Sequence, residues 1–292
     1  MISNSKKTKE PRFRLAPAWW GVIPSLLALT LFIAYPLIQV FQISVQKYSI
    51  VYEGFAGLHN YARMLADPNV GRSLLLTLIF GLCTLPLFVG LATLCAIELE
   101  GTRLERLVKA ILFLPSLWTI GASAIGWYTL YEPDYGMLAT LTGGFLRLPW
   151  HDKGWAGVAL IVLFTIWQNV GYGTLIVSAG LKSIPTEVFE AARVDGATEN
   201  QLRWRIVLPL LRPSIVFLAV VGSLYAIQSY TAVLLLTQGG PFGSTRVVGY
   251  LIYETAFGTA PNLGYGAALS VLILALAFTF SAFQARALKS DL

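Results

Sequence analysis

Long apolar runs alternate with short polar stretches along the chain. Six runs contain no Asp, Glu, Lys, Arg or His and are long enough to cross a bilayer, which takes about 20 helical residues. They lie near Trp19–Val45, Ser73–Ile97, Ala110–Leu130, Trp155–Leu181, Ser214–Leu236 and Tyr265–Phe283. The alternating strands of a membrane barrel are not seen. The pattern therefore predicts an all-α, polytopic membrane protein with six transmembrane helices. Pro24, Pro36, Pro86 and Pro115 fall inside runs, where membrane helices accommodate them as kinks. The first run is too long for the apolar region of a signal peptide, and no small-residue cleavage pattern follows closely, so it is expected to remain as an anchor. This divides the chain into an N-terminal tail, residues 1–18, and a membrane domain, residues 19–292.

Composition agrees with a lipid solvent. The 292 residues are 56% hydrophobic and 12% charged, with a mean hydropathy of +0.66. Soluble globular chains carry about 25% charged residues. The net charge of +6 raises the question of a nucleic-acid partner, and its distribution answers it. With the N-terminus in the cytoplasm, most of the 21 lysines and arginines fall inside: Lys6 to Arg14, then Arg103, Arg106 and Lys109, then the stretch from Lys182 to Arg212, then Arg286 and Lys289. Only this orientation obeys the positive-inside rule. Both termini are expected in the cytoplasm, membrane lipid is the expected surroundings, and no nucleic acid is. The outer loops then lie near residues 46–72, 131–154 and 237–264. Met137–Trp150 is apolar but too short to span, and is expected in the outer interface with Trp150 among the head groups.

The candidate chemistry is sparse. No ionisable group at membrane depth suggests a proton relay. No Gly-Lys dipeptide is present, which excludes a P-loop, so uphill transport would draw its energy from a partner. Cys83 and Cys95 are twelve residues apart in one run, about 18 Å along a helix. With no CxxC or Cys/His cluster, neither a disulfide nor a metal framework is expected. His59 and His151 read as ordinary outer-loop residues. No catalytic group stands out. An intramembrane enzyme, the competing class, would need polar groups facing one another inside the bundle.

Residues 184–209, on the cytoplasmic side between the fourth and fifth runs, are polar but patterned. Pro185 suits a helix start, and Glu187 and Glu190 suit its positive end. Asp195-Gly196 is a turn signal. Thr198 with Gln201 reads as a capping box opening a second short helix. By pattern alone this helix–turn–helix is either an interfacial connector or a docking element.

Within it, Glu190, Ala191, Ala192, Gly196, Ile206, Leu208 and Pro209 stand at the spacing of the Glu-Ala-Ala signature of binding-protein-dependent ABC importer permeases, with Asp195 beside the glycine. The chain resembles that family. Tyr35-Pro36 with Ser44, Gly57-Leu58-His59-Asn60-Tyr61, and Thr237-Gln238-Gly239-Gly240-Pro241 with Thr245 resemble its carbohydrate branch, the maltose- and glycerol-phosphate-type permeases. The resemblance implies a type I ABC importer permease fold, with this segment coupling to an ATP-hydrolysing subunit. It implies a second related permease, an ATPase dimer and an extracytoplasmic solute-binding protein as partners, with a sugar as substrate and alternating access as mechanism. It implies no cofactor on this chain, ATP and Mg on the partner ATPase, and the bacterial inner membrane as location. Glycerol 3-phosphate or a polyol carried by the same machinery is the alternative. By the same resemblance solute passes between helices corresponding to the third to sixth runs. Asn169, Tyr172, Tyr225, Gln228 and Ser229 are then the candidate path residues. Tyr225, Gln228 and Ser229 share one helix face and suit a sugar's hydroxyls and apolar plane. Such residues also hold membrane helices together, and Trp167 and Tyr230 read as packing residues.

Overall fold

The computed structural model describes residues 15–227 and 229–289. Helix α1 (Leu15–Leu29) starts inside the segment read as tail, and continues through a widened turn, Thr30–Ala34, into α2 (Tyr35–Ser44). Pro36 causes the widening. It has no N–H for the i→i−4 ladder, the register slips by one residue, and the Tyr35 N–H donates to Thr30 O, as in a π-bulge. From Gly21 to Ser44 this rod keeps nearly all its side chains exposed, the state of a helix that faces lipid or another chain.

The first expected outer loop contains a small antiparallel hairpin of β1 (Gln46–Tyr48) and β2 (Tyr52–Phe55), followed by α3 (His59–Ala66). Asn60 closes it. Its buried amide donates to Ser44 O and Gln46 O, both at 2.9 Å, while the Tyr61 and Ser44 hydroxyls pair at 2.7 Å. Two stretches singled out in the sequence thus form one knot.

Helix α4 (Pro68–Leu99) is capped by Asp67, whose carboxylate accepts from the Asn69 N–H at 2.9 Å, with Pro68 at the first position. It packs along α8 (Gly154–Lys182), which is buried over most of its length. Ala92 and Ala96 are fully buried on α4, and small residues of this kind let membrane helices approach closely.

One expected span is not a single helix. The third divides into α5 (Glu105–Leu117) and α6 (Ile120–Tyr131), which meet at 101°. The fifth is preceded by a 63° bend between Glu199–Leu210 and α12 (Arg212–Ile227), and α13 (Tyr230–Leu236) follows. Among the described residues, four helices alone are long and apolar enough to span a membrane, and two bent pairs bring the number to six. After α6 comes α7 (Met137–Leu141). Trp150 does not lie at a lipid interface. It is 5% exposed, its indole N–H donates to Tyr131 O at 2.9 Å, and its ring meets Tyr128 edge-on.

The segment expected on the cytoplasmic side forms α9 (Thr186–Val194), a turn, α10 (Glu199–Gln201), a widened turn Leu202–Val207, and α11 (Leu208–Leu210). The third expected outer loop holds a further apolar helix, α14 (Val248–Phe257), before α15 (Leu263–Lys289). Lys109 is not a loose cation. It is buried, 3.0 Å from Glu100 and 2.8 Å from Glu105, and Lys182 approaches Glu105 to 3.4 Å, joining α4, α5 and α8.

Candidate functional site

A cavity of about 660 Å³ opens where α5, α6, α12 and α13 meet α8 and α14. The break between α5 and α6 shows how it is built. Trp118 and Thr119 are extended, with ψ of 149° and 139°, so the last carbonyls of α5 lose their helical donors. Gln168 of α8 adds donors there, beside the Trp118 N–H that closes back on Pro115 O at 3.2 Å. Its amide donates to Pro115 O at 2.6 Å and to Trp118 O at 3.2 Å. Gly171, one turn further on, makes that reach possible, because a Cβ there would stand 2.0 Å from Leu112 O of α5. On the other side Thr119 caps α6 by accepting from the Ala122 N–H. A ring cluster then ties α6 to α8. Trp127 stacks on Tyr131 at 4.7 Å and meets Phe164 and Trp167 at 5.6 and 5.4 Å.

Of the path residues read from sequence, Asn169, Tyr225 and Ser229 line this cavity. Asn169 spends its amide N–H on Thr165 O at 2.8 Å of its own helix. Ser229 donates to Ala226 O at 2.9 Å, and Tyr225 packs edge-on against Phe88 at 6.5 Å. Tyr172, 38% exposed, is not among the lining residues. Gln228 lies outside the described residues. Trp167 sits in the ring cluster, whereas Tyr230 lines the cavity and stacks on Tyr253 at 6.3 Å.

Sequence reasoning did not select Trp118, Thr165, Gly249, Ile252 and Tyr253, which also line it. The last three come from α14, and their spacing of three and four residues is the signal of a helix face. It was hidden because ten residues are too few to cross a bilayer. No Asp, Glu, Lys or Arg is among the lining residues. The walls offer rings, amides and hydroxyls. Gln168 Oε1, buried and without a hydrogen-bond partner, is one of the polar atoms there.

The cytoplasmic segment sorts the signature residues by direction. Ala192 is buried, and Ile206 and Leu208 pack against the core. Glu190, Ala191, Asp195, Gly196 and Pro209 are exposed, as is Val194 at 87%. The turn is closed by Asp195 N–H to Ala191 O and Ala197 N–H to Ala192 O, both 2.9 Å. Gly196 has φ +81°, a left-handed conformation that glycine adopts without strain. Thr198 and Gln201 complete the capping box in both directions. Arg203 meets Glu98 at the end of α4 at 2.7 Å.

The third marked stretch is a knot at the outer end. Thr237 Oγ1 and Thr245 Oγ1 are 2.8 Å apart, and Thr245 also donates to Gly240 O at 2.8 Å, around a cis Gly240–Pro241 bond.

Residues 65–289 match the model of the family described as "Binding-protein-dependent transport system inner membrane component". The chain is 32% identical over 271 residues to the sn-glycerol-3-phosphate transport system permease protein UgpA of Rhizobium meliloti (strain 1021), covering 91% of this chain and 92% of that one. It is 31% identical over 279 residues to the sulfoquinovosyl glycerol transport system permease protein SmoG of Agrobacterium fabrum (strain C58 / ATCC 33970), covering 91% and 88%. A solved bacterial ABC transporter involved in the import of the acidic polysaccharide alginate shares the fold. Its TM-score is 0.82 at 20% identity, over 94% of this chain and 95% of that one.

Proposed function

The chain belongs to the family of inner membrane components of binding-protein-dependent transport systems, and from that premise we propose that it is the permease subunit of an ATP-driven sugar importer. One observation carries the reading: the broken α5–α6 span leaves extended backbone at Trp118–Thr119 beside an uncharged cavity. Irregular backbone at membrane depth is tolerated where it is buried in protein or lines a cavity, and transporters build solute sites from such breaks. The walls combine Asn169, Ser229 and Thr165 with the rings of Trp118, Tyr225, Tyr230 and Tyr253. Amides and hydroxyls match sugar hydroxyls, and rings match the sugar's apolar face.

In this reading the chain forms half of the path and a second, related permease forms the rest. The exposed set Glu190, Ala191, Asp195 and Gly196 docks on an ATPase dimer that carries ATP and Mg. An extracytoplasmic binding protein delivers solute to the outer loops. The location is the bacterial inner membrane, with both termini in the cytoplasm. Uptake of labelled mono-, di- and oligosaccharides, polyols and glycerol 3-phosphate, in cells with and without the gene, tests it. Selective loss of one sugar is the expected result. Loss of glycerol 3-phosphate alone would favour the second reading, which the glycerol-phosphate relative supports.

A further inference from the structure

We propose that Glu132, Asp134 and His151 form a divalent transition-metal site at the outer end of the α6–α8 corner. The three offer ligand atoms that all lie within 4.8 Å of one another. They occupy the loop between α6 and α8, apart from the residues that line the cavity.

The argument starts from Glu132. Its side chain is 1% exposed, and its Oε2 has no hydrogen-bond partner. A buried carboxylate is costly unless a positive group compensates it. The neighbour is His151 Nε2 at 3.3 Å. That separation is longer than a charge-assisted hydrogen bond of about 2.7–2.9 Å. It equals the edge of a tetrahedron whose centre lies about 2.0–2.1 Å from each ligand, the bond length of zinc to imidazole nitrogen and carboxylate oxygen. One cation between the two atoms satisfies both, and Asp134 supplies the third ligand. An imidazole in the set favours zinc or a related transition ion over magnesium or calcium.

The surroundings hold these groups in place. Glu132 ends α6, and Gly136 N–H donates to its carbonyl at 3.0 Å. The His151 ring packs against Trp150 at 4.0 Å, and Trp150 is itself fixed by its bond to Tyr131 O. Arg147 holds the Asp134 carboxylate at 2.7 Å. Its charge opposes a cation, while its bond orients the carboxylate, as hydrogen bonds to ligating carboxylates do in metal sites. A bound ion would pin the end of α6 to the start of α8, and so fix the corner leading into the wall of the transport cavity.

The test uses the full chain purified in detergent, stripped with chelator, titrated with zinc and then passed through gel filtration. The wild type is expected to retain one zinc per chain. His151→Ala and Glu132→Gln each lose it, Asp134→Asn weakens binding by about tenfold or more, and His59→Ala changes nothing. Cobalt supplies a second readout. Tetrahedral visible absorption bands should appear in the wild type and be missing in His151→Ala. Should Glu132→Gln fail to give a monodisperse peak, the partly exposed His151 carries the comparison. A wild type that retains neither zinc nor cobalt overturns the proposal. So does metal that survives His151→Ala, which would be adventitious. Neither result touches the transport reading, which uptake alone decides.

Discussion

Two neighbouring amides on α8 have opposite tasks. Gln168 is a structural donor for a helix end, with its two bonds to Pro115 O and Trp118 O. Removing a donor from buried carbonyls costs about 1–3 kcal/mol each. Pro115 O keeps its bond from the Trp118 N–H, so Gln168→Leu is expected to destabilise the chain by about 1–3 kcal/mol, read as a lower thermal midpoint in detergent. Asn169 bonds only within its own helix through Thr165 O. Asn169→Ala should change that midpoint little, and should raise the KM for uptake. Equal effects of the two substitutions on stability would remove Gln168 from its role at the break. Gly196 makes a third case. Nothing lies within 4 Å of a Cβ built there, so only its φ of +81° resists substitution. The left-handed conformation costs about 1–2 kcal/mol for a residue with a Cβ, and less for Asn. Gly196→Ala should lower transport and ATPase coupling while leaving membrane insertion intact, and Gly196→Asn should be milder. If both variants transport normally, the turn has no part in coupling.

At the scale of elements, the Glu-Ala-Ala segment was legible in the sequence and the break between α5 and α6 was not. The segment's signals are local. The Thr198–Gln201 box, the Asp195-Gly196 turn and the charged first turn of α9 each act within four residues, and local chemistry of this kind survives into the fold. The break at Trp118–Thr119 is held by a non-local contact. Gln168 and Pro115 are 53 residues apart, and an apolar run reads the same whether straight or bent. Trp150 failed for a related reason: its partner, Tyr131, is 19 residues away. The segment as a unit is tied to α4 by Arg203 and Glu98, with side chains 39% and 45% exposed. An exposed pair stabilises by about 0–1 kcal/mol. Glu98→Ala should then leave the thermal midpoint almost unchanged. If the pair transmits movement from the segment to α4, the substitution should lower solute transported per ATP hydrolysed, and the charge swap Glu98→Arg with Arg203→Glu should restore it. Unaltered coupling in Glu98→Ala would make the pair a surface contact only.

For the whole molecule the decisive contrast is where charge is kept and where it is not. Ions gather at the two faces. Lys109, Glu100, Glu105 and Lys182 form one set by the end of α4, and Arg72, Arg246 and Glu254 form another around its start. Between them the lining of the cavity is uncharged. Carrying an anion through such a cavity strips its hydration with no cation to replace it, at a cost of several kcal/mol. A neutral sugar exchanges water for amides, hydroxyls and rings at far smaller cost. Each 1.4 kcal/mol is a factor of ten in affinity. The importer is therefore expected to favour neutral sugars over glycerol 3-phosphate by at least about tenfold in competition assays, and uptake of the neutral solute should vary little with ionic strength. Equal or better competition by the phosphate would mean that cations reach the path, and would turn the comparison towards the glycerol-phosphate relative that covers 91% of this chain.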